Sequence, residues 1–275
     1  MKARPSRPWG CDMTLTEKTP PEGTPEATPP ETTPQAPPTR DGTHWAKPVE
    51  RLSAQGVTGA GVDSVTGKRV NSPLQGFGQL WQKTFRVPLE GSTMTPQEVI
   101  VVWKERFATF WPSTGKFYAP LAGIVPGEVA LLDIAPVPGS PVKFSTGVMV
   151  IYADDESFTF ISPEGHMLSG WITFSAYRDG DVTVAQVQAL ERTSDPFDEL
   201  GLMFGGSRMN DRFWQATLVN VGRAMGTAEP AVVSEAVCID KRRQWRRATN
   251  IRNSITLRTA RRTLTAPVRW ITGRG

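Results

Sequence analysis

Between Ser157 and Met225 the chain sets a strand period and a helix period back to back, and few folds accommodate the pair. Phe158 to Ile161, Met167 to Tyr177 and Val182 to Leu190 are rich in β-branched and aromatic residues. Pro163-Glu164-Gly165 and Arg178-Asp179-Gly180 punctuate them as turns, so they read as antiparallel strands. Asp195-Pro196 then opens a helix. Asp195 can accept a backbone N–H as the cap, and Pro196 takes the first helical position, where its missing donor costs nothing. Asp198 and Glu199 suit the positive end of the helix dipole. The helix breaks at Gly205-Gly206 and restarts near Asn210-Asp211. Trp214, Leu218, Val221 and Met225 then mark one face, with Phe213 beside it. Burying that stripe on a sheet contributes several kcal/mol, at ~1.5–3 kcal/mol per large apolar side chain.

Upstream, Leu80 to Leu89 reads as a first strand of mixed polarity, placed at a sheet edge because Pro88 would be tolerated there. Thr95-Pro96 opens a second helix, with Glu98 completing a capping box. Val99, Val102, Trp103, Arg106, Phe107 and Phe110 follow at helical spacing, and Pro112 ends it. This aromatic stripe reads as core packing; a lid over a pocket mouth is the alternative. Phe117 to Pro126 is a Gly/Pro-broken apolar loop, and strands follow at Glu128 to Ile134 and Val142 to Tyr152. Asp154-Asp155-Glu156 reads as a solvated hairpin turn, since no further oxygen ligands stand at loop spacing for a cation.

The flanks differ in kind. Residues 1–48 are rich in Pro, Thr and Glu, with too little apolar surface to offset ordering entropy, and read as disordered. Residues 49–76 read as a flexible Gly-rich approach segment. Gly59-Ala60-Gly61 within it follows no strand and opens no helix pattern, so it is not a dinucleotide fingerprint. Residues 77–226 form the packed domain, and residues 227–275 a basic, partly helical tail. Cys11 and Cys238 offer neither a disulfide framework nor a zinc spacing. No apolar run reaches the ~20 residues a spanning helix needs, and no apolar leader core is visible. A cytoplasmic protein is expected, peripheral to the inner face of the membrane if the tail binds there. From Lys241 to Gly275 there are eleven Lys or Arg and no acid, so a net charge of +4 overall leaves −7 on the first 240 residues.

The order of strand, helix, antiparallel strands and long helix resembles the helix-grip fold of the START and polyketide-cyclase-like superfamily. Phe158-Thr-Phe-Ile-Ser-Pro-Glu-Gly-His166, followed by Gly170 and Phe174, is similar to the pattern of a bacterial and plant group in that superfamily known only as a domain of unknown function. Where that group tends to carry an acid just after the second glycine, this chain has Trp171. The resemblance implies an α+β fold, a curved antiparallel sheet around a long C-terminal helix with a cavity between them; it implies no reaction.

Alternation assigns the cavity wall. Ile172, Phe174 and Ala176 share an apolar face of their strand, and Ala185, Val187 and Ala189 a small-residue face of the next. With Trp214 and Leu218 from the helix they are the ligand-cavity candidates. Glu191 joins them as the one carboxylate in that strand ending. It is expected in water at the strand end; facing the cavity, its pKa would rise by desolvation. His166 sits in a turn, where capping a backbone group or facing solvent is the usual role. One histidine in the folded part, with no nucleophile beside it, points to no catalytic residue, no metal site and no cofactor. In the tail, Arg242, Arg243, Trp245, Arg246, Arg247, Arg261 and Arg262 are candidates for an anionic membrane surface or for nucleic acid, with Ile251, Ile255 and Trp270 favouring the membrane. A small apolar ligand is the expected partner in the cavity, and no protein partner is indicated. The alternatives are a cyclase- or hydrolase-like enzyme and a nucleic-acid-binding protein acting through its tail.

Overall fold

A computed structural model describes residues 42–54, 61–136, 139–140 and 142–261. Eight antiparallel strands form one sheet: β1 (Leu80–Pro88), β2 (Gly115–Tyr118), β3 (Val129–Ile134), β4 (Phe144–Ala153), β5 (Ser157–Ile161), β6 (Leu168–Asp179), β7 (Val182–Thr193) and β8 (Val233–Asp240). Their order across the sheet is β2-β3-β4-β5-β6-β7-β1-β8. Helices α1 (Pro96–Arg106), α2 (Pro196–Gly201) and α3 (Ser207–Ala224) complete an α+β helix-grip architecture, a curved sheet around a long C-terminal helix.

Local chemistry sets the helix starts. Thr95 caps α1 by accepting from the Glu98 N–H, while the Glu98 carboxylate accepts from the Thr95 N–H. Asp195 caps α2, its Oδ1 accepting from the N–H groups of Phe197 (2.7 Å) and Asp198 (3.0 Å). The break between α2 and α3 is a wide turn over Leu202–Gly206, with Gly205 at φ 110°. Only glycine adopts that conformation cheaply. The helix resumes at Ser207, three residues before the expected restart.

The core lies between one sheet face and the helices. β6 and β7 pair in a register that sets Ile172 opposite Ala189, Phe174 opposite Val187 and Ala176 opposite Ala185. Phe174, Ala185, Val187, Leu218 and Val221 are buried there with Trp103 and Phe107 of the α1 stripe. Trp103 meets Phe158 and Phe174 edge-on, and Phe107 does the same to Phe117, Phe160 and Phe174. The aromatic stripe is therefore core.

Three sequence expectations change. β1 is interior, because β8, which falls within the expected tail, pairs along it from Leu80 to Arg86. The buried Arg192 guanidinium on β7 donates to the Gly78 carbonyl (2.6 Å) and to Asp240 Oδ2 (2.7 Å), anchoring the far end of β8. Part of the approach segment is packed: Leu52 and Val65 form a smaller core with Val129, Leu131, Met149 and Ile161 on the other sheet face. The described end of the N-terminal region joins that face too. The Trp45 ring packs 4.7 Å from Tyr152, and His44 Nδ1 lies 3.1 Å from the Ala153 carbonyl. The expectation of disorder over residues 1–41 lies outside the described residues.

Candidate functional site

A cavity of about 290 Å³ opens between the β3–β6 part of the sheet, the wide turn and the start of α3. Its walls are mostly apolar, with Trp111, Phe117, Leu132, Phe160, Ile172 and Trp214 among them. The cavity exists where α1 stops. Trp103 and Phe107 pack over Phe158 and Phe174 of β5 and β6, and beyond them the cavity is bordered by α2, the wide turn and the start of α3.

This geometry sorts the candidates. Ile172, Glu191 and Trp214 line the cavity. Phe174, Ala176, Ala185, Val187 and Leu218 lie instead in the packed core with Trp103 and Phe107, whose rings meet Phe174 edge-on. Ala189 is buried, but it is not on the cavity wall. Trp214 belongs to both regions, its ring 5.6 Å from Phe174.

Glu191 does not sit in water. Its side chain lines the cavity, and the residue is only 8% exposed. Asn210 Nδ2 donates to Oε1 at 3.5 Å, while Oε2 has no hydrogen-bond partner among the described residues. Burial pushes the carboxyl up to about 7. The Lys83 ammonium pulls it back down, and the Asp211 carboxylate bound to that ammonium at 2.7 Å adds to the rise. A carboxyl poised there can donate or accept a hydrogen bond near neutral pH.

Two more titratable groups on the wall were not expected. His166 Nδ1 lies 3.0 Å from both the N–H and the carbonyl oxygen of Leu168, accepting from the first or donating to the second according to its tautomer. Burial lowers its pKa to about 4, so the imidazole is uncharged at neutral pH. The cap role foreseen for it holds, but the ring also borders the cavity. Asp198 is pushed up to about 8 by burial and by the neighbouring Asp195 carboxylate. Its Oδ1 accepts from Thr256 Oγ1 at 2.8 Å.

Thr256 comes from the tail. The described part of the tail folds back onto the domain. Gln244 N–H donates to the Phe77 carbonyl, Asn250 Nδ2 donates to the carbonyls of Gln75 (2.8 Å) and Ser194 (2.9 Å), and Ile255 is buried beside Gly165. Trp245 meets Phe77 edge-on at 5.2 Å yet stays 73% exposed. Arg243 pairs with Glu199 at 2.8 Å and Arg242 with Asp240 at 3.7 Å, and Arg242, Arg243, Arg246, Arg247 and Arg261 are all exposed. Arg262 and Trp270 lie outside the described residues. Ile255, expected to favour a membrane, is instead buried against the domain. No group of three or more His, Cys, Asp or Glu among the described residues could hold a metal ion, and no described helix is long and apolar enough to cross a membrane.

No protein-family profile matches the chain, and no curated protein matches it. Among solved structures the chain is similar to protein Ms6760 from Mycobacterium smegmatis, at 10% identity over 57% of this chain and 96% of that one, with a TM-score of 0.39. It is likewise similar to the di-domain ARO/CYC StfQ from the steffimycin biosynthetic pathway, at 9% identity over 54% of this chain and 50% of that one, with a TM-score of 0.39. At these scores no residue role passes from either protein to this one.

Proposed function

We propose that this chain binds a small, largely apolar molecule in the sheet–helix cavity and reads one oxygen or nitrogen of that molecule with Glu191. The observation that carries the reading is an aromatic-walled cavity of about 290 Å³ whose wall holds the largely buried Glu191 carboxyl. Apolar walls supply affinity and a few convergent polar groups supply orientation. A donor or acceptor on the ligand would meet the Glu191 carboxyl at the cavity wall. The exposed arginines of the tail would hold the domain near a polyanionic surface.

A second reading is favoured by the same carboxyl. A group with its pKa near 7 in a water-poor pocket is what a general acid or base needs. A cyclase- or hydrolase-like activity would place the ligand's reacting atom against Glu191, with neutral His166 as a hydrogen-bond donor. The two readings part on turnover: a binding module returns its ligand unchanged.

Calorimetric titration of the full chain with a small aromatic alcohol such as 1-naphthol tests the binding reading. One site per chain and a negative heat-capacity change are expected. Ile172→Trp, which fills the cavity, should abolish binding while the far-ultraviolet circular dichroism stays unchanged. Binding that survives Ile172→Trp, or no binding by the wild type, would overturn the assignment.

A further inference from the structure

Helix α2 and the turn after it are inside out. The two acids of α2 face the protein: Asp198 is 5% exposed, and Glu199 is held by Thr193 Oγ1 (2.7 Å) and Arg243 (2.8 Å). The outward face is apolar. Phe197, Leu200 and Phe204 recur at helical spacing, with exposures of 46%, 51% and 84%, and Met203 beside them is 68% exposed. Met209 follows one turn later and is also exposed. An ordinary surface helix has the reverse polarity, and clustered exposed aromatics mark an interaction surface.

The patch borders the cavity. Phe197 and Met209 are exposed and yet line the cavity with Gly201, Leu202 and Gly206, so the mouth opens through the patch. Its surroundings are cationic. Arg208 and Arg212 are exposed on the first turns of α3, and Arg243 reaches to within 3.9 Å of the Met203 sulfur. The exposed Arg242, Arg246 and Arg247 continue from there into the tail.

We propose that residues 197–209 are a docking surface for an anionic bilayer. Met203 and Phe204 enter the interface, and Arg208, Arg212 and Arg243 sit at the level of the lipid headgroups. An apolar ligand could then pass between bilayer and cavity without crossing water; that passage rests on the cavity reading, whereas docking does not. Charge selects this occupant. A second copy on a two-fold axis would bring the same arginines against each other. A nucleic acid would engage the arginines but leave five exposed apolar side chains without a partner. A bilayer with anionic headgroups meets both demands at once.

Co-sedimentation of the full chain with vesicles of phosphatidylcholine, alone or with added phosphatidylserine, tests the proposal. Binding is expected only with the anionic lipid. Met203→Glu/Phe204→Glu should weaken it by about tenfold or more, the loss expected when an apolar side chain no longer enters the interface. Arg208→Gln/Arg212→Gln should weaken it and flatten its salt dependence. Both double variants replace exposed side chains, so melting temperature and 1-naphthol binding should match the wild type. A Met203→Glu/Phe204→Glu chain that partitions like the wild type would overturn the proposal. So would a wild type that ignores anionic vesicles, whether it instead dimerises through Phe204 or binds duplex DNA regardless of it. Loss of naphthol binding in the wild type with vesicle binding intact would sink the cavity reading alone.

Discussion

Replacing Glu191 by glutamine keeps the shape of the side chain and an oxygen for Asn210, and removes the charge. In the folded chain burial lifts this carboxyl from 4.5 to about 7. At ~1.36 kcal/mol per pH unit that gap corresponds to roughly 3 kcal/mol. The sign follows from proton counts. Between pH 4.5 and 7 the unfolded chain has released a proton that the folded chain still holds. The unfolded state therefore binds fewer protons, and stability falls as pH rises through this window, levelling off above it. Glutamine does not titrate and escapes that loss. Glu191→Gln should therefore stabilise the protein by less than about 1 kcal/mol at pH 5 and by roughly 3 kcal/mol at pH 8. Asp198, also raised by burial, titrates in both chains and cancels in the difference. Urea unfolding of the two proteins at the two pH values measures it. A gain equal at both pH values, or a loss at pH 8, would show that Glu191 is hydrated or firmly paired, and the cavity carboxyl would lose its assigned character.

Other substitutions probe the scaffold. Trp103→Ala should cost about 3–5 kcal/mol, the range for a fully buried aromatic, and Trp214→Ala less, because Trp214 already borders open cavity; thermal unfolding ranks them. Gly170→Ala should destabilise by roughly 1–3 kcal/mol or more, since an added Cβ would collide with the Leu190 carbonyl oxygen and crowd the Glu191 backbone. Arg192→Ala should lower the melting temperature, because it leaves the carbonyls of Gly78 and Arg242 without their buried donor and removes one of the donors on Asp240. Faster proteolysis after Asp240 should accompany it.

The fold was legible where periodicity and capping chemistry agree. Alternation along β6 and β7 placed Phe174 and Val187 inward, and Thr95-Pro96 and Asp195-Pro196 located two helix starts to the residue. β8 was not legible, because Val233 to Val237 are all exposed and carry no alternation that burial could impose; pairing with β1 and the tether to Arg192 make it a strand. The cavity boundary was hidden for a different reason. Phe174 and Glu191 share one face by parity, and only the reach of α1 decides that one is packed and the other open. Extending the series Ala185, Val187, Ala189 by two residues would have put Glu191 on the cavity side. Asp198 and Thr256 meet across fifty-eight positions of sequence, and no local pattern announces such a contact.

Native mass spectrometry of the gently purified full chain, beside Ile172→Trp prepared in the same way, asks most directly whether the cavity holds a molecule. The expected wild-type spectrum contains a one-to-one adduct of a small molecule that dissociates under denaturing conditions and is missing from the filled variant. A wild-type chain that stays bare even after incubation with apolar ligands, or adducts equally abundant on Ile172→Trp, would contradict a ligand-binding cavity.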